Sequence, residues 1–584
     1  MSAGVCVAFA LYDWPSGENH TMSYSRTLLV FVITLSASPS GAQVQTRPAP
    51  PDTILVNGRV FTGRETQPYA EALAIKGTQI LAVGTSEEIS SKAGPTTRRI
   101  DLAGRLVIPG INDSHTHFEA DVIGTKLDFG DDPSCAHVLD ILQHAVASAP
   151  PGTLLSGTIG PSAFFGQACT PATLDKISLD DPIVLAMDSP HSGMLNQAAA
   201  RKFGVREDAP PPLAGFFGKD MKSKRWDGVV HESAWFRIRE LLMGDVAGEE
   251  ARLRRVLARA AQWGVTSITL LEVYPSRRVQ QLSEIDSPLR IRLVPFLEFQ
   301  ERDRRKQPEY PPVPAHLADR VSVSGLKYLL DGTPEERSAA TRVPYADDPT
   351  TSGQIDFPPE ELRAILREAQ QRNVQLLLHA IGDRTTETLL NAMEATGGPG
   401  AWSQKRLRIE HGEGVMLDLV PRAKALGVIV VENPSNFAFS ELLQQRYGKE
   451  KAAVDAPFRS LLLAGIPLAI ATDSSPLTPF ANPYLHIMYA CAYPGRPKES
   501  MTREEAVTAF TRTAAYAEFT EGTKGTLEPG KLADLAVLSQ DVFQVHLEDL
   551  PKTESVLTMV GGQIAYAGGA FARYLNAASS DLRK

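Results

Sequence analysis

Two imidazoles two residues apart, His115 and His117, end the segment Arg105-Leu-Val-Ile-Pro-Gly-Ile-Asn-Asp-Ser-His-Thr-His117. In extended backbone that spacing points both side chains to one face, and neutral imidazole is the commonest protein ligand for metals. Holding one divalent cation is the chemistry such a pair could do. On its own the pair is weak evidence, because two histidines in one loop are more often polar surface. Three further residues change the balance. His379 closes Val374-Gln-Leu-Leu-Leu-His, His411 closes Leu407-Arg-Ile-Glu-His, and Asp473 closes Ile466-Pro-Leu-Ala-Ile-Ala-Thr-Asp. Lys327 lies inside another apolar run, Ser324-Gly-Leu-Lys-Tyr-Leu-Leu-Asp-Gly332, where an ammonium is costly unless paired or neutralised. Singly, each has an ordinary reading: a hydrogen-bonded core histidine, a helix-capping Asp, a Lys snorkelling to solvent. Jointly the ordinary readings fail, because independent accidents would not all fall at the ends of apolar runs.

The elements that must position these groups are legible from periodicity. Residues 182–187, 266–272, 291–297, 321–330, 374–379, 406–410, 427–431 and 467–472 read as buried strands, and 249–263, 358–371, 384–393, 457–464 and 503–517 as helices. Strands alternating with helices of this length imply parallel pairing with crossover helices. The number of units suits a (β/α)8 TIM barrel, whose active sites lie at the C-terminal strand ends; a doubly wound open sheet is the alternative. Residues 118–250, rich in Pro, Gly and aromatics, read as an insertion over the barrel mouth. In it Phe164-Phe165 and Phe216-Phe217 are expected either to wall an apolar pocket or to pack plainly. Both chain ends are β-rich, at 52–105 and 521–573, and Asn57-Gly58 between apolar runs is a hairpin signal. The main β/α region then spans 106–520, with a tail at 574–584.

The first forty-odd residues read as targeting. Arg26 precedes Thr-Leu-Leu-Val-Phe-Val-Ile-Thr-Leu35, and Ser40-Gly-Ala42 offers small residues for a peptidase, giving a signal peptide over 1–42 and a Pro-rich linker over 43–51. Met22 is an alternative start, and an uncleaved anchor helix the alternative fate. Export to a bacterial periplasm or the exterior, with no stable membrane span after cleavage, is the expectation. Cleavage leaves Cys135, Cys169 and Cys491; the first two form either a disulfide or buried thiols. A formal net charge of −9 without a basic patch disfavours a nucleic-acid partner. A small-molecule substrate is expected, and homo-oligomerisation stays open.

The segments Ile108-Pro-Gly-Ile-Asn-Asp-Ser-His-Thr-His117, Gly325-Leu-Lys-Tyr-Leu-Leu-Asp-Gly332, His379-Ala-Ile-Gly-Asp-Arg384, Arg408-Ile-Glu-His411 and Thr472-Asp473 together resemble the amidohydrolase superfamily. The resemblance is to the branch containing N-substituted formamide deformylase-like enzymes, and runs from about residue 52 to 570. It implies a TIM barrel beside a small β-sandwich made from both chain ends. It also implies that His115, His117 and Asp473 bind one metal and His379 and His411 a second. Lys327, carbamylated, would bridge the two ions, and zinc is the metal implied; a one-metal site with unmodified Lys327 is the alternative. The implied activity is cleavage of a non-peptide amide-type C–N bond by metal-activated hydroxide, with Asp473 moving the proton. An esterase or lactonase on the same site, or a non-catalytic binding protein on the same frame, are the rivals. From Asp188-Ser-Pro-His-Ser-Gly-Met-Leu-Asn196 and beyond, His191, Asn196 and Glu232 are expected either to contact substrate or to structure loops by hydrogen bonding. Glu432-Asn-Pro-Ser-Asn436 departs from the branch's usual Gln-Pro.

Overall fold

Buried strands rich in Val, Ile and Leu suit a sheet covered on both faces; eight strands follow one another here, and every ladder between them is parallel. In the computed structural model they are β1 (Ile111–Thr116), β2 (Val265–Glu272), β3 (Arg290–Pro295), β4 (Leu326–Leu329), β5 (Leu376–His379), β6 (Arg408–Glu410), β7 (Ile429–Glu432) and β8 (Leu468–Ile470). The structure describes residues 49–575 except 118–121, 131, 167, 190, 213, 220–222, 224, 244–248, 273–282, 297–311 and 475–480. The export signal expected in 1–42 lies outside the described residues.

β1 pairs with β2 and β2 with β3; β4 to β8 pair in chain order. The two sheets touch at a parallel bridge between Phe296 and Lys327. At the other edge the Asp473 amide donates to the His115 carbonyl at 2.8 Å. The Thr472 amide and hydroxyl donate to the Asp113 carboxylate at 2.9 and 2.6 Å. Neighbours in space are neighbours in sequence, unlike a doubly wound sheet, whose order reverses at a switch point. Among the described residues, helices lie in the crossovers after β4, β5, β6 and β7. Pro359–Arg372 buries Leu362, Ile365, Leu366 and Ala369 on one stripe, carries Glu360 and Glu361 in its first turn, and ends at Asn373 in the left-handed region.

Three sequence expectations need correction. Residues 182–187 are a buried strand but not one of the eight: Ile183–Met187 belongs to a separate sheet within the insertion, and β1 takes its place in the count. The run 321–330 is broken. Val321–Val323 pairs with β3, then Gly325 at φ +81° redirects the chain into β4. A Cβ there would sit 2.9 Å from Arg292 Nη2 and 3.0 Å from Leu377 Cδ1, so the turn needs glycine. Asn57-Gly58 turns the chain without making a hairpin. Thr53–Val56 pairs with Ala72–Lys76 and Arg98–Asp101, whereas Arg59–Phe61 pairs with Leu106–Pro109 and Tyr69–Ala70, in another sheet.

The chain ends share one core. Leu55, Leu73 and Ile100 from the first end pack with Leu535, Leu557 and Met559 from the second. Leu106–Pro109 pairs antiparallel with Leu535–Leu538, so the boundary falls at Gly110, one residue before β1. The insertion has its own six-stranded sheet and apolar core, and Cys135 and Cys169 form a disulfide. Of its aromatic pairs, Phe164 lies in that core, Phe165 packs under Arg446 and Phe216 stacks on His231 at 4.3 Å. Among the described residues, no helix is long and apolar enough to cross a membrane.

Candidate metal centre

β1 delivers His115 and His117 to the rim, and each is locked through Nδ1. His115 Nδ1 lies 2.6 Å from Glu410 Oε2, and His117 Nδ1 lies 2.8 Å from the Leu271 carbonyl. A carboxylate and a carbonyl accept, so both Nδ1 atoms carry the proton and both Nε2 atoms keep their lone pairs. Those lone pairs converge on Asp473 Oδ1, at 3.2 Å from His115 and 3.0 Å from His117. His411 Nδ1 stands 3.5 Å from the other carboxylate oxygen. Ligand atoms of His115, His411 and Asp473 all lie within 4.8 Å of one another. His379 follows: its ring is 4.4 Å from that of His411, and its Nε2 faces the Gly332 carbonyl at 3.3 Å, which leaves Nδ1 as its lone-pair nitrogen.

Burial, and then the Lys327 charge, push His115 and His411 well below the ordinary histidine range; burial, His411 and His191 do so for His379. Neutral imidazole is the ligand form. Burial opposes ionisation of Asp473, yet its carboxyl is held below the ordinary range, with the Lys327 charge among the causes. The set fits a divalent cation on one further ground. His115 Nε2 and His411 Nδ1 are buried and make no hydrogen bond, although each faces the same carboxylate. His411 and Asp473 also have positive φ, +73° and +51°. Side chains tolerate that conformation only where the surroundings enforce it, as functional sites often do.

The sequence profile of the amidohydrolase family matches residues 98–566. The chain belongs to the amidohydrolase family. It is a metal-dependent hydrolase acting on carbon–nitrogen bonds, and membership implies an α/β fold of the TIM-barrel type. Protein LONG AFTER FAR-RED 3 of Arabidopsis thaliana is 26% identical over 543 residues, covering 88% of this chain and 91% of that one. N-substituted formamide deformylase of Arthrobacter pascens is 24% identical over 558 residues, covering 88% and 98%. A solved structure of an uncharacterized metal-dependent hydrolase from Pyrococcus furiosus shares the fold at TM-score 0.61 and 22% identity, over 84% of this chain and all of that one.

Around the centre of this amidohydrolase, carboxylates do the holding. Glu410 accepts from His115 and, at 2.7 and 2.9 Å, from Arg408, whose Nη2 also reaches the Ser114 carbonyl. Asp331 accepts from the amides of Ala340, Ile381 and Gly382 and from the Thr385 hydroxyl, which shapes the loop after His379. Neither role was read from sequence. The available signal was a carboxylate inside an apolar run, one residue before His411 and four after Lys327. From the insertion, His191 reaches the same rim with its ring 5.2 Å from that of His379. Its Nδ1 is 2.8 Å from Glu232 Oε2, and Glu232 Oε1 accepts from Ser338 at 2.9 Å. Burial opposes protonation of His191, but Glu232 raises it to about 9. Asn196 is not among these groups. Its Oδ1 accepts from Ile183 and Ala199 and its Nδ2 donates to Ser178 and Asp181, so its whole carboxamide is engaged with backbone.

Proposed function

We propose that this protein hydrolyses a non-peptide amide-type C–N bond of a small molecule, with His115, His117, His379, His411, Asp473 and Lys327 as its metal-binding groups. The eight consecutive parallel strands support a (β/α)8 barrel, and the shared core of the two terminal sheets supports a β-sandwich beside it. The observation that carries the reading is the meeting of two Nε2 lone pairs on one ionised carboxylate oxygen, with His411 on the other. When bound, a divalent cation supplies Lewis acidity there, acidifying water and polarising a carbonyl. The imidazole-rich donor set suits zinc.

Asp473, 23% exposed at its side chain toward the rim, takes the proton from the attacking water at a carboxylate oxygen and returns it to the departing nitrogen. His191, fixed by Glu232, presents its Nε2 from the insertion side and orients the substrate. Lys327, 2% exposed, gives up one proton to become the neutral amine and a second as Nζ adds to carbon dioxide, leaving a carbamate. This replaces a costly buried cation with a carboxylate able to bridge two ions. The Cys135–Cys169 disulfide supports residence in an oxidising compartment after export.

Asp473→Asn is expected to keep the fold while turnover falls by about 10²–10⁴, the usual worth of a positioned acid–base group; near-normal turnover with metal intact would refute its role. Replacing His115 and His117 together is expected to abolish both metal content and hydrolysis across an amide and ester panel. Native mass spectrometry should find a carbamate-sized adduct on Lys327 that acid removes.

A further inference from the structure

β7 supplies none of the groups named so far, yet it ends in a carboxamide with an unmet need. Asn433, the next residue, donates from Nδ2 to the Ala471 carbonyl at 3.2 Å. A carbonyl only accepts, so this bond fixes which atom is nitrogen and which is oxygen. The oxygen, Oδ1, is buried in a residue 2% exposed and makes no hydrogen bond. Buried acceptors nearly always have a donor.

Register shows which face Asn433 occupies. His379 pairs with Glu410, Glu410 with Val431 and Val431 with Ala469. These side chains therefore share one face, the face on which Glu410 meets His115. Val430 turns the other way, into the cluster it shares with Leu468, Ile470 and the outer helices. By the alternation of a strand, Asn433 returns to the inner face, two residues or about 7 Å beyond Val431 toward the rim. Its hydrogen-bond partner Ala471 is two residues before Asp473.

We propose that Asn433 Oδ1 accepts the N–H of the scissile bond, so that the substrate class is a secondary amide, and Asn433 discriminates it from esters and tertiary amides. The inference rests on the amide-hydrolase reading above. An ester sets an oxygen acceptor against Oδ1, and an N-methyl amide sets a carbon there. A site built to bind an N–H rejects analogues lacking it, because its own polar group is then left unpaired.

The test uses the metal-loaded enzyme on 4-nitroacetanilide, N-methyl-4-nitroacetanilide and 4-nitrophenyl acetate, with their formyl counterparts. Comparing variant with wild type on each substrate cancels intrinsic reactivity. Asn433→Ala and Asn433→Ser should lower kcat/KM on the secondary anilides by about tenfold or more and leave the other members unchanged or faster. Equal losses on every member, or none on the anilides, overturn the inference while the amide-hydrolase reading stands; wild-type cleavage of esters alone overturns both. A second readout does not require turnover. In Asp473→Asn, 4-nitroacetanilide should raise the thermal midpoint more than its N-methyl analogue, and adding Asn433→Ala should erase that difference. Identical shifts in the two backgrounds overturn the inference.

Discussion

In the proposed metal centre His115 can serve as a ligand only while its proton sits on Nδ1, and Glu410 favours that tautomer. The carboxylate is fully buried between His115 and the equally buried Arg408, so it sets the tautomer and cancels a guanidinium charge at once. Such carboxylate–histidine pairs typically strengthen metal binding by about 10–100-fold. Breaking a buried ion pair on one side costs about 3–5 kcal/mol, because the surviving charge is left unpaired. Glu410→Gln preserves shape but loses both effects: its amide can donate to His115 and drive the proton to Nε2. The expected outcome is metal affinity lowered by about 10–100-fold in a chelator competition, with a lower thermal midpoint even in the metal-free protein. Unchanged affinity would show that the His115 tautomer is set elsewhere.

The strands are also tied at the end away from the metal centre. Glu518 accepts from Asn112 of β1 at 3.0 Å, from Thr269 of β2 at 2.6 Å and from Lys524 at 3.2 Å. Burial would raise its carboxyl, but Lys524 and Arg292, with those hydrogen bonds, hold it at about 2. A folded-state value below the unfolded one gives stability that is present above about pH 4.5 and lost as pH falls toward 2. For one group this amounts to about 3 kcal/mol. Urea unfolding at pH 6 and pH 3 should therefore show wild type losing about 2 kcal/mol more than Glu518→Gln, the remainder being lost below pH 3; equal losses would mean that this carboxylate is not held low. No such tie was readable beforehand, since Asn112 and Glu518 are 406 residues apart. What could be read was whatever a local pattern dictates: apolar runs closed by His379, His411 and Asp473, and helical stripes such as 358–371. What a run pairs with was hidden. Residues 182–187 look like any buried strand, yet their partners lie within the insertion. The helix expected over 503–517 contains a π turn at Ala509–Thr513 that no periodicity announced. At the site, His379, His411 and Asp473 stood out as candidates because each closes an apolar run. The pairing of His191 with Glu232, and of His115 with Glu410, depends on how separate elements meet.

Among the described residues, the chain brings distant segments together both in the terminal sheets and at the candidate metal centre. The terminal sheets share one core, where Leu106–Pro109 pairs with Leu535–Leu538 just before β1 begins. At the metal centre His115, His411 and Asp473 come from β1, the end of β6 and beyond β8. A cation held by these three groups cross-links strands that are far apart in sequence, and the unfolded chain offers no such preformed site. Binding free energy at the centre is thus folding free energy. At free metal about a thousand times its dissociation constant, the stabilisation is about 4 kcal/mol. Chelation should lower the thermal midpoint of wild type, and restoring the metal should recover it. His411→Ala should start from a lower metal-loaded midpoint and respond less to the chelator, because one of the three cross-linked segments has lost its anchor. If wild type and His411→Ala respond equally, the ion does not join these segments, and the three groups meet for some other reason.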